Sequence, residues 1–378
     1  MEQLVKRELK GVIAKIDKNM ALYKNQTPCI SPNLRYSERL SRDGDWTGSF
    51  WMGMVAMAGI LADEEKYRDY LVSFLQFYQD RLEYGYKDHD LGFLYQLYAV
   101  DGYRLTNDRR FARLAVSAAE ALLCRYNPRG GYIRAWERLI SPYRRGKLII
   151  DCLLNLPLLF CAAQMSSNPA MRDAAYHHAK ATLHNMRPDG STYHTYNFDD
   201  VTGKPLGGEN EGGYSDESCW SRGQSWGIYG FYLAWLHTQD EQFLAASVKA
   251  ADYFLAQLDA NHMPKWDFIL DGRAPSPEAI DTSAAAIAAS ALYDLCRVAP
   301  ADKAAVYETA ADNMLRTLIE QHSHTFDGNA EALLDGCYCG GWEGGQRVVH
   351  QWGSIWGDYF YMEALLKKSG VPVQMWNL

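Results

Sequence analysis

No stretch of this chain stays apolar for the roughly 18 residues that a membrane span requires, so nothing in it reads as a membrane-crossing helix. Net positive charge is lacking too. The 38 Lys and Arg stand against 46 Asp and Glu, a formal charge of −8, which argues against a nucleic-acid or acidic-membrane partner. The N-terminus has no apolar core followed by small residues. Met1-Glu-Gln-Leu-Val-Lys opens an amphipathic helix and is not read as a secretory signal. No glycine-rich loop between a strand and a helix is available to cradle phosphates, and no nucleophile elbow is visible. Of the eight cysteines, Cys124, Cys152, Cys161 and Cys296 sit in helical patterns and read as small buried hydrophobes, which suits a reducing cytoplasm. His322-Ser-His324 and Cys337-Tyr-Cys339 are spaced more narrowly than zinc sites prefer. No metal and no cofactor is expected.

What the chain does have is repetition. Helical segments open at Asp63, Asn107, Asn168, Asp240 and Ala301, each with an early aromatic or Met (Tyr67, Phe111, Met171, Phe243, Tyr307). A second set of apolar segments alternates with them: Trp46–Leu61, Gly92–Thr106, Ile150–Met165, Gly223–His237, Asp281–Arg297 and Ser354–Lys367. A period near 40–70 residues marks a repeated supersecondary unit. A run of helix pairs accommodates 378 residues in one domain, because each pair buries its face on the next. The expected fold is therefore an all-α toroid of helical hairpins over residues 1–378, with no linker that would split it.

The connectors 127–147, 187–222, 261–280 and 322–353 are long, and loops beyond roughly 15 residues in a compact domain are usually functional or disordered. These carry Trp136, Trp220, Trp266, Trp342 and Trp352, a composition unlike disorder. Short β-hairpins are expected at Ser191–Phe198, ending near Asp199–Gly203. The 11 Trp and 25 Tyr suit either a large aromatic core or the stacking of sugar rings, and about half of the tryptophans are expected in the cleft.

Two acidic residues stand out by context. Asp90 lies in DHDLGFLY, directly before an apolar helix, and reads equally as a helix N-cap. Asp151 lies in KLIIDCLLNLPLLF, where a carboxylate is expected to be buried; the plainer reading is a structural ion pair. Burial and a second nearby carboxylate both raise a carboxyl pKa, as a general acid near neutral pH requires. At equivalent ends of successive inner helices, the two would face each other across the mouth of the barrel in the manner of a two-carboxyl glycosidase site. Arg222, between Trp220 and Trp226, is suited to hold a substrate carboxylate or to pin its loop to Asp216 or Glu217. His194 in STYHTYNFD and Trp46 in DGDWTGSFWMG complete the polar and aromatic candidates at this rim.

Seven blocks in order, DHDLGFLY, KLIIDCLLNLPLL, STYHTYNFD, SDESCWSRGQSWGIYGF, WDF, DTSAAAIAA and IWGDYFYMEALL, resemble unsaturated glucuronyl hydrolases, glycoside hydrolase family 88, from about Asp45 to Leu366. The resemblance implies an (α/α)6 barrel and a small oligosaccharide substrate whose non-reducing end is a Δ4,5-unsaturated uronic acid. It implies acid-catalysed hydration of the C4=C5 vinyl ether rather than displacement at the anomeric carbon. The acid/base carries over to Asp151 and the second carboxylate to Asp90. His89, Trp46, Trp136, His194, Arg222, Trp226 and Tyr338 match ligand-lining positions. The chain departs from the family at Gly212, where Gln is usual, so a hydrogen bond to the terminal sugar would be missing or supplied by Asn210 or Glu211. It also departs at GGWEGGQRVVHQWGS, which lacks a Ser/Lys pattern, so non-sulfated substrates are expected to be preferred, with Arg347 and His350 left to meet an anion. A family 105 enzyme acting on unsaturated rhamnogalacturonides, a non-catalytic oligosaccharide-binding toroid and a barrel-type sugar epimerase leaning on paired His are the alternatives.

Overall fold

A computed structural model describes residues 1–344, 346–372 and 374–378, with the side chain of Trp342 left out. Among the described residues, helices come in six outer–inner pairs. The outer α1 (Glu2–Tyr23) precedes the inner α2 (Gly48–Ala62), and the outer α3 (Glu65–Ser73) and α4 (Leu75–Tyr84) precede the inner α5 (Leu91–Tyr95) and α6 (Asp101–Thr106). The pairs continue as α7 (Arg109–Leu123) with α8 (Leu156–Ser166), α9 (Pro169–Thr182) with α10 (Ser221–Thr238), α11 (Glu241–Ala256) with α12 (Thr282–Leu295), and α13 (Ala301–Thr317) with α14 (Ile355–Lys368). The inner helices touch in a closed circuit, α2 on α5, α5 on α8, α8 on α10, α10 on α12, α12 on α14 and α14 on α2. This is the (α/α)6 barrel.

Sequence explains which helices lie inside. The outer α7 buries one stripe only, Phe111, Leu114, Ala115, Ala118, Ala119 and Leu122, at helical spacing. The inner α2 and α12 are buried nearly all round, and small residues (Gly53, Ala56, Ala58; Ala284 to Ala286, Ala288, Ala289) let their neighbours approach. Inner helices turn into outer ones through single left-handed residues: Asp63, Asn107, Ser167 and Gln239. Asp63 and Asn107 thus close the preceding helix rather than cap the next. True N-caps are made by Asp108, Asn168 and Asp240, whose side chains accept the backbone N–H two residues on.

The barrel centre is filled. Phe93 and Phe360 contact Trp226, and Trp376 from the C-terminal tail stacks on Phe360 with centroids 6.0 Å apart. Gln96 and His237 hold the Met375 and Trp376 carbonyls at 2.8 Å, and the Trp376 indole donates to Glu363. The C-terminal tail thus packs across the end of the barrel opposite the mouth.

Short strands build that mouth. A hairpin does turn near Asp199–Gly203, where Thr195–Phe198 pairs with Pro205–Glu209, and Lys147–Ile149 adds a third strand on the other side. A second sheet joins Ile30–Ser31, Gln351–Ser354 and Cys337–Tyr338. One expectation fails. Cys124 is exposed and Cys296 half-buried, because both fall at the ends of their helices. Trp51, Trp226 and Trp266 are core residues.

One approach fixes the geometry at the mouth. A Cβ added to Gly92 would lie 2.2 Å from the Asn155 Cα, and the Asn155 Oδ1 accepts the Phe93 N–H at 2.5 Å. The starts of two neighbouring inner segments therefore meet backbone to backbone. Gly92→Ala should lower stability by at least about 1–3 kcal/mol, since the new methyl meets backbone that cannot swing away. It should also reduce activity by more than the loss of folded protein explains. Thermal denaturation alongside activity per folded molecule checks this; an unshifted melting temperature would contradict it.

Candidate active site

Asp90 and Asp151 stand at the starts of the segments joined at Gly92 and Asn155. Asp90 occupies the N-cap position of α5, yet its side chain makes no cap bond. Its Oδ1 lies 3.2 Å from the His89 Nε2, and the His89 Nδ1 faces the Ala135 carbonyl at 2.8 Å. Asp151 follows the strand Lys147–Ile149. The pairing of Ile149 with Thr195 and the Ile150 N–H bond to the His194 carbonyl carry Asp151 to His194. The His194 Nε2 lies 3.4 Å from the Asp151 Oδ1, long for a hydrogen bond, and Oδ1 has no hydrogen-bond partner among the described residues. The Asp151 side chain keeps 18% exposure, so it is half-buried and open to the mouth rather than fully enclosed. Each carboxylate thus has its own histidine. Cys152, buried beside them, has its thiol pushed well up by burial and then by the Asp90 carboxylate, with Asp151 and Asp88 adding to it.

Rings line the perimeter in sequence. Trp46 packs on Trp356 at 5.0 Å, and the Arg222 guanidinium lies 5.3 Å over Trp356 and 4.5 Å over Trp220. Trp220 meets His194 edge-on at 5.2 Å, Trp136 lies 6.0 Å from His194, and His89 lies 6.2 Å from Trp136. The arc runs from Trp46 round to His89, with Asp90 and Asp151 inside it. Trp220 and Trp356, which sequence reasoning left out of the site residues, belong to it; their signal was adjacency to Arg222 and to the IWGDY block.

Arg222 pairs with neither Asp216 nor Glu217. One nitrogen, Nη1, donates to the buried Asp281 at 2.9 Å, to Ser283 and to the Tyr338 carbonyl. Tyr338 is buried, stacks on Trp266 at 4.8 Å, and its hydroxyl has no partner among the described residues. Trp226, expected to line the ligand, is 1% exposed and lies in the floor beneath Phe93. Asn210 and Glu211 do not stand free in place of a glutamine: the Asn210 amide donates to Ser218, and Glu211 is ion-paired with Arg144 and Lys147. Arg347 is clamped on the Glu211 and Gly213 carbonyls, and His350 stacks on Trp352 and faces Glu343.

The residues with metal-ligand chemistry at 322–339 do not converge. His322 and His324 each grip one oxygen of Asp335, at 2.9 and 3.0 Å. Cys337 faces Ser354. Asp88, His89 and Asp90 do lie close enough to share an ion, but the His89 ring is already engaged at both nitrogens.

Burial alone would depress the His89 imidazolium, but the Asp90 carboxylate beside it, helped by Asp88 and the Ala135 carbonyl, pushes it up to about 9. Asp88 is held above the usual carboxylate range by burial and by Asp90. A histidine raised in the folded state contributes stability that is full below its unfolded value of about 6.5 and is lost as pH rises through its folded value. The melting temperature should therefore decline between about pH 6.5 and 9, and Asp90→Asn should flatten that decline by removing the charge that holds the proton. Thermal denaturation across this range checks it; an unchanged slope in the variant would contradict it.

Residues 19–345 match the family model described as Glycosyl Hydrolase Family 88. The chain is 36% identical to an unsaturated chondroitin disaccharide hydrolase of Streptococcus pneumoniae over 94% of its own length and 89% of the relative's. It is 33% identical to an unsaturated glucuronyl hydrolase of Bacillus sp. GL1, over 87% of each chain. The solved structure of the Bacillus sp. GL1 enzyme superimposes with a TM-score of 0.88, at 32% identity over 98% of each chain. A mutant unsaturated glucuronyl hydrolase from Streptococcus agalactiae, complexed with dGlcA-GalNAc6S, does so with 0.81, at 30% identity over 98% of this chain and 92% of the other. With its fold, the order of its motifs and more than four-fifths of its length in agreement, the chain belongs to glycosyl hydrolase family 88.

Proposed function

We propose that this protein is a glycosidase that removes a Δ4,5-unsaturated uronic acid from the non-reducing end of oligosaccharides left by polysaccharide lyases. The observation that carries the reading is Asp151: a carboxylate at the mouth whose Oδ1 has no hydrogen-bond partner among the described residues, facing His194 and ringed by tryptophans. The relatives' names, unsaturated chondroitin disaccharide hydrolase and unsaturated glucuronyl hydrolase, support the substrate class.

In this reading Asp151 delivers a proton to C4 of the vinyl ether. Positive charge develops at C5 and is shared with the ring oxygen. Water adds at C5, losing its proton to the Asp151 carboxylate, which restores the acid. The C5 hemiketal opens to a ketone, and the hemiacetal so formed at C1 expels the aglycone sugar. A general acid of this kind contributes on the order of 10²–10⁴ in rate. Asp90, braced by the His89 imidazolium, orients the ring hydroxyls. Arg222, with Nη1 engaged by Asp281, Ser283 and Tyr338, presents the remainder of its fork to the substrate carboxylate, and Trp46 and Trp136 offer ring faces to the sugar.

We further propose that residues 1–378 form one catalytic domain and that it works in the cytoplasm, a setting to which eight unpaired cysteines are suited. No helix among the described residues is long and apolar enough to cross a membrane.

Asp151→Asn should retain the fold and lose turnover by about 10²-fold or more, and Asp90→Asn should bind substrate while turning it over poorly. The assay is the fall in ultraviolet absorbance as the C4=C5 bond of an unsaturated disaccharide is consumed. Activity of Asp151→Asn within a few-fold of wild type would sink the assignment of the acid. The saturated glucuronide of the same aglycone should be left intact, because it has no alkene to protonate; comparable cleavage of both would overturn the reaction. Among unsaturated disaccharides, non-sulfated ones should be cleaved faster, and faster cleavage of the sulfated form would remove that preference alone.

A further inference from the structure

The segment Glu211–Gly213 is pinned from several sides, yet it offers the cleft little side chain. Arg347 donates through Nη2 to the Glu211 carbonyl at 3.0 Å and to the Gly213 carbonyl. The Glu211 carboxylate is paired with Arg144 and lies 3.4 Å from the Lys147 Nζ. The Tyr214 N–H is held by Asp267 at 2.8 Å. Between these anchors, Gly212 turns its backbone N–H onto the His194 Nδ1 at 3.2 Å. The absence of a side chain matters here, since a Cβ on Gly212 would fall 2.8 Å from the Trp220 ring.

That N–H decides where the imidazole proton sits. The other group at Nδ1 is the Thr195 hydroxyl, 3.0 Å away. A hydroxyl can donate or accept, so Thr195 tolerates either tautomer. A backbone amide only donates, so Gly212 requires a bare Nδ1 and drives the proton of the neutral ring to Nε2. Nε2 is the nitrogen facing the Asp151 Oδ1. With the proton on Nδ1 instead, a lone pair would face the carboxylate oxygen.

We infer that Arg347 is a positioning residue for the acid. It acts through the backbone of Glu211–Gly213, whose two carbonyls its Nη2 holds, and through His194. The inference rests on Asp151 being the acid, as proposed above. The Glu211 pairs with Arg144 and Lys147 hold the same segment from its other side, which gives the device two independent handles.

The test is the tautomer of His194 in the full-length protein, read by ¹⁵N NMR of histidine-labelled samples and assigned by the signal lost in His194→Gln. Wild type should show Nε2 protonated. Arg347→Ala should mix or reverse the tautomers, lower kcat by about ten-fold or more, as misplacement of a reacting group does, and leave KM close to wild type. Glu211→Gln should shift the same signals in the same direction, and it carries the test if Arg347→Ala fails to fold by circular dichroism. An unchanged His194 tautomer in the folded variants would overturn the inference even if activity fell, since Arg347 would then only brace the rim. A changed tautomer with unchanged kcat would overturn the link to Asp151. A wild-type protein inactive on every unsaturated disaccharide would sink the proposed function, while the NMR result would still report on the positioning of His194.

Discussion

The mouth of the barrel depends on the meeting of two backbones at Gly92 and Asn155. Inner helices of an (α/α)6 barrel ordinarily keep a side chain's breadth between them, since interaxial distances are set by the residues at the contact. Here the first turn of α5 lies directly on the short 3₁₀ segment Ile150–Asn155. The contact brings together the two loops that end in Asp90 and Asp151. It also explains why Asp90 sits at an N-cap position without capping. The Asp88 side chain takes the Asp90 N–H, and the Asp90 carboxylate is left to turn toward His89.

From there the chemistry divides between two carboxylate–histidine pairs of different character. His89 is enclosed, engaged at both nitrogens, and held as a cation by its neighbours. Its Nε2 lies 3.2 Å from the Asp90 Oδ1. His194 has a backbone donor at one nitrogen and faces Asp151 with the other across 3.4 Å, so Asp151 is oriented without being saturated. The two carboxylates therefore differ in setting: Asp90 beside an enclosed, doubly engaged histidine, Asp151 beside one held by a backbone donor. Arg222, whose Nη1 is consumed by Asp281, Ser283 and Tyr338, is a rigid cation between Trp220 and Trp356. It has the preorganised form that recognition of a uronate carboxylate needs.

The helices were legible because their period is local. The stripe of α7 and the all-round apolar α2 and α12 announce outer and inner positions without reference to anything distant. Asp151 was legible as an acid in an apolar run, and its partial exposure was not, because the run is buried by packing whereas the exposure of its one carboxylate is decided by where the Thr195–Phe198 strand crosses it. The partner of Arg222 could not be read at all: Asp281 is 59 residues away, and nearer acids at 216 and 217 looked equally suitable. Trp226 was misplaced for a related reason, since its neighbour Arg222 faces the mouth while Trp226, one helical turn on, faces the floor. The role of Gly212 was invisible in sequence because it lies in an N–H that every non-proline residue has; what the glycine contributes is room for Trp220.

The central claim is that Asp151 gives its proton to carbon, at C4 of the unsaturated ring, and not to the glycosidic oxygen. Turnover of an unsaturated disaccharide in D₂O, quenched early and read by NMR, tests this most directly. One deuterium per product molecule should enter at C4, in a single configuration, at the rate of aglycone release. Product that carries no deuterium at C4 while the aglycone is released at the same rate would contradict it.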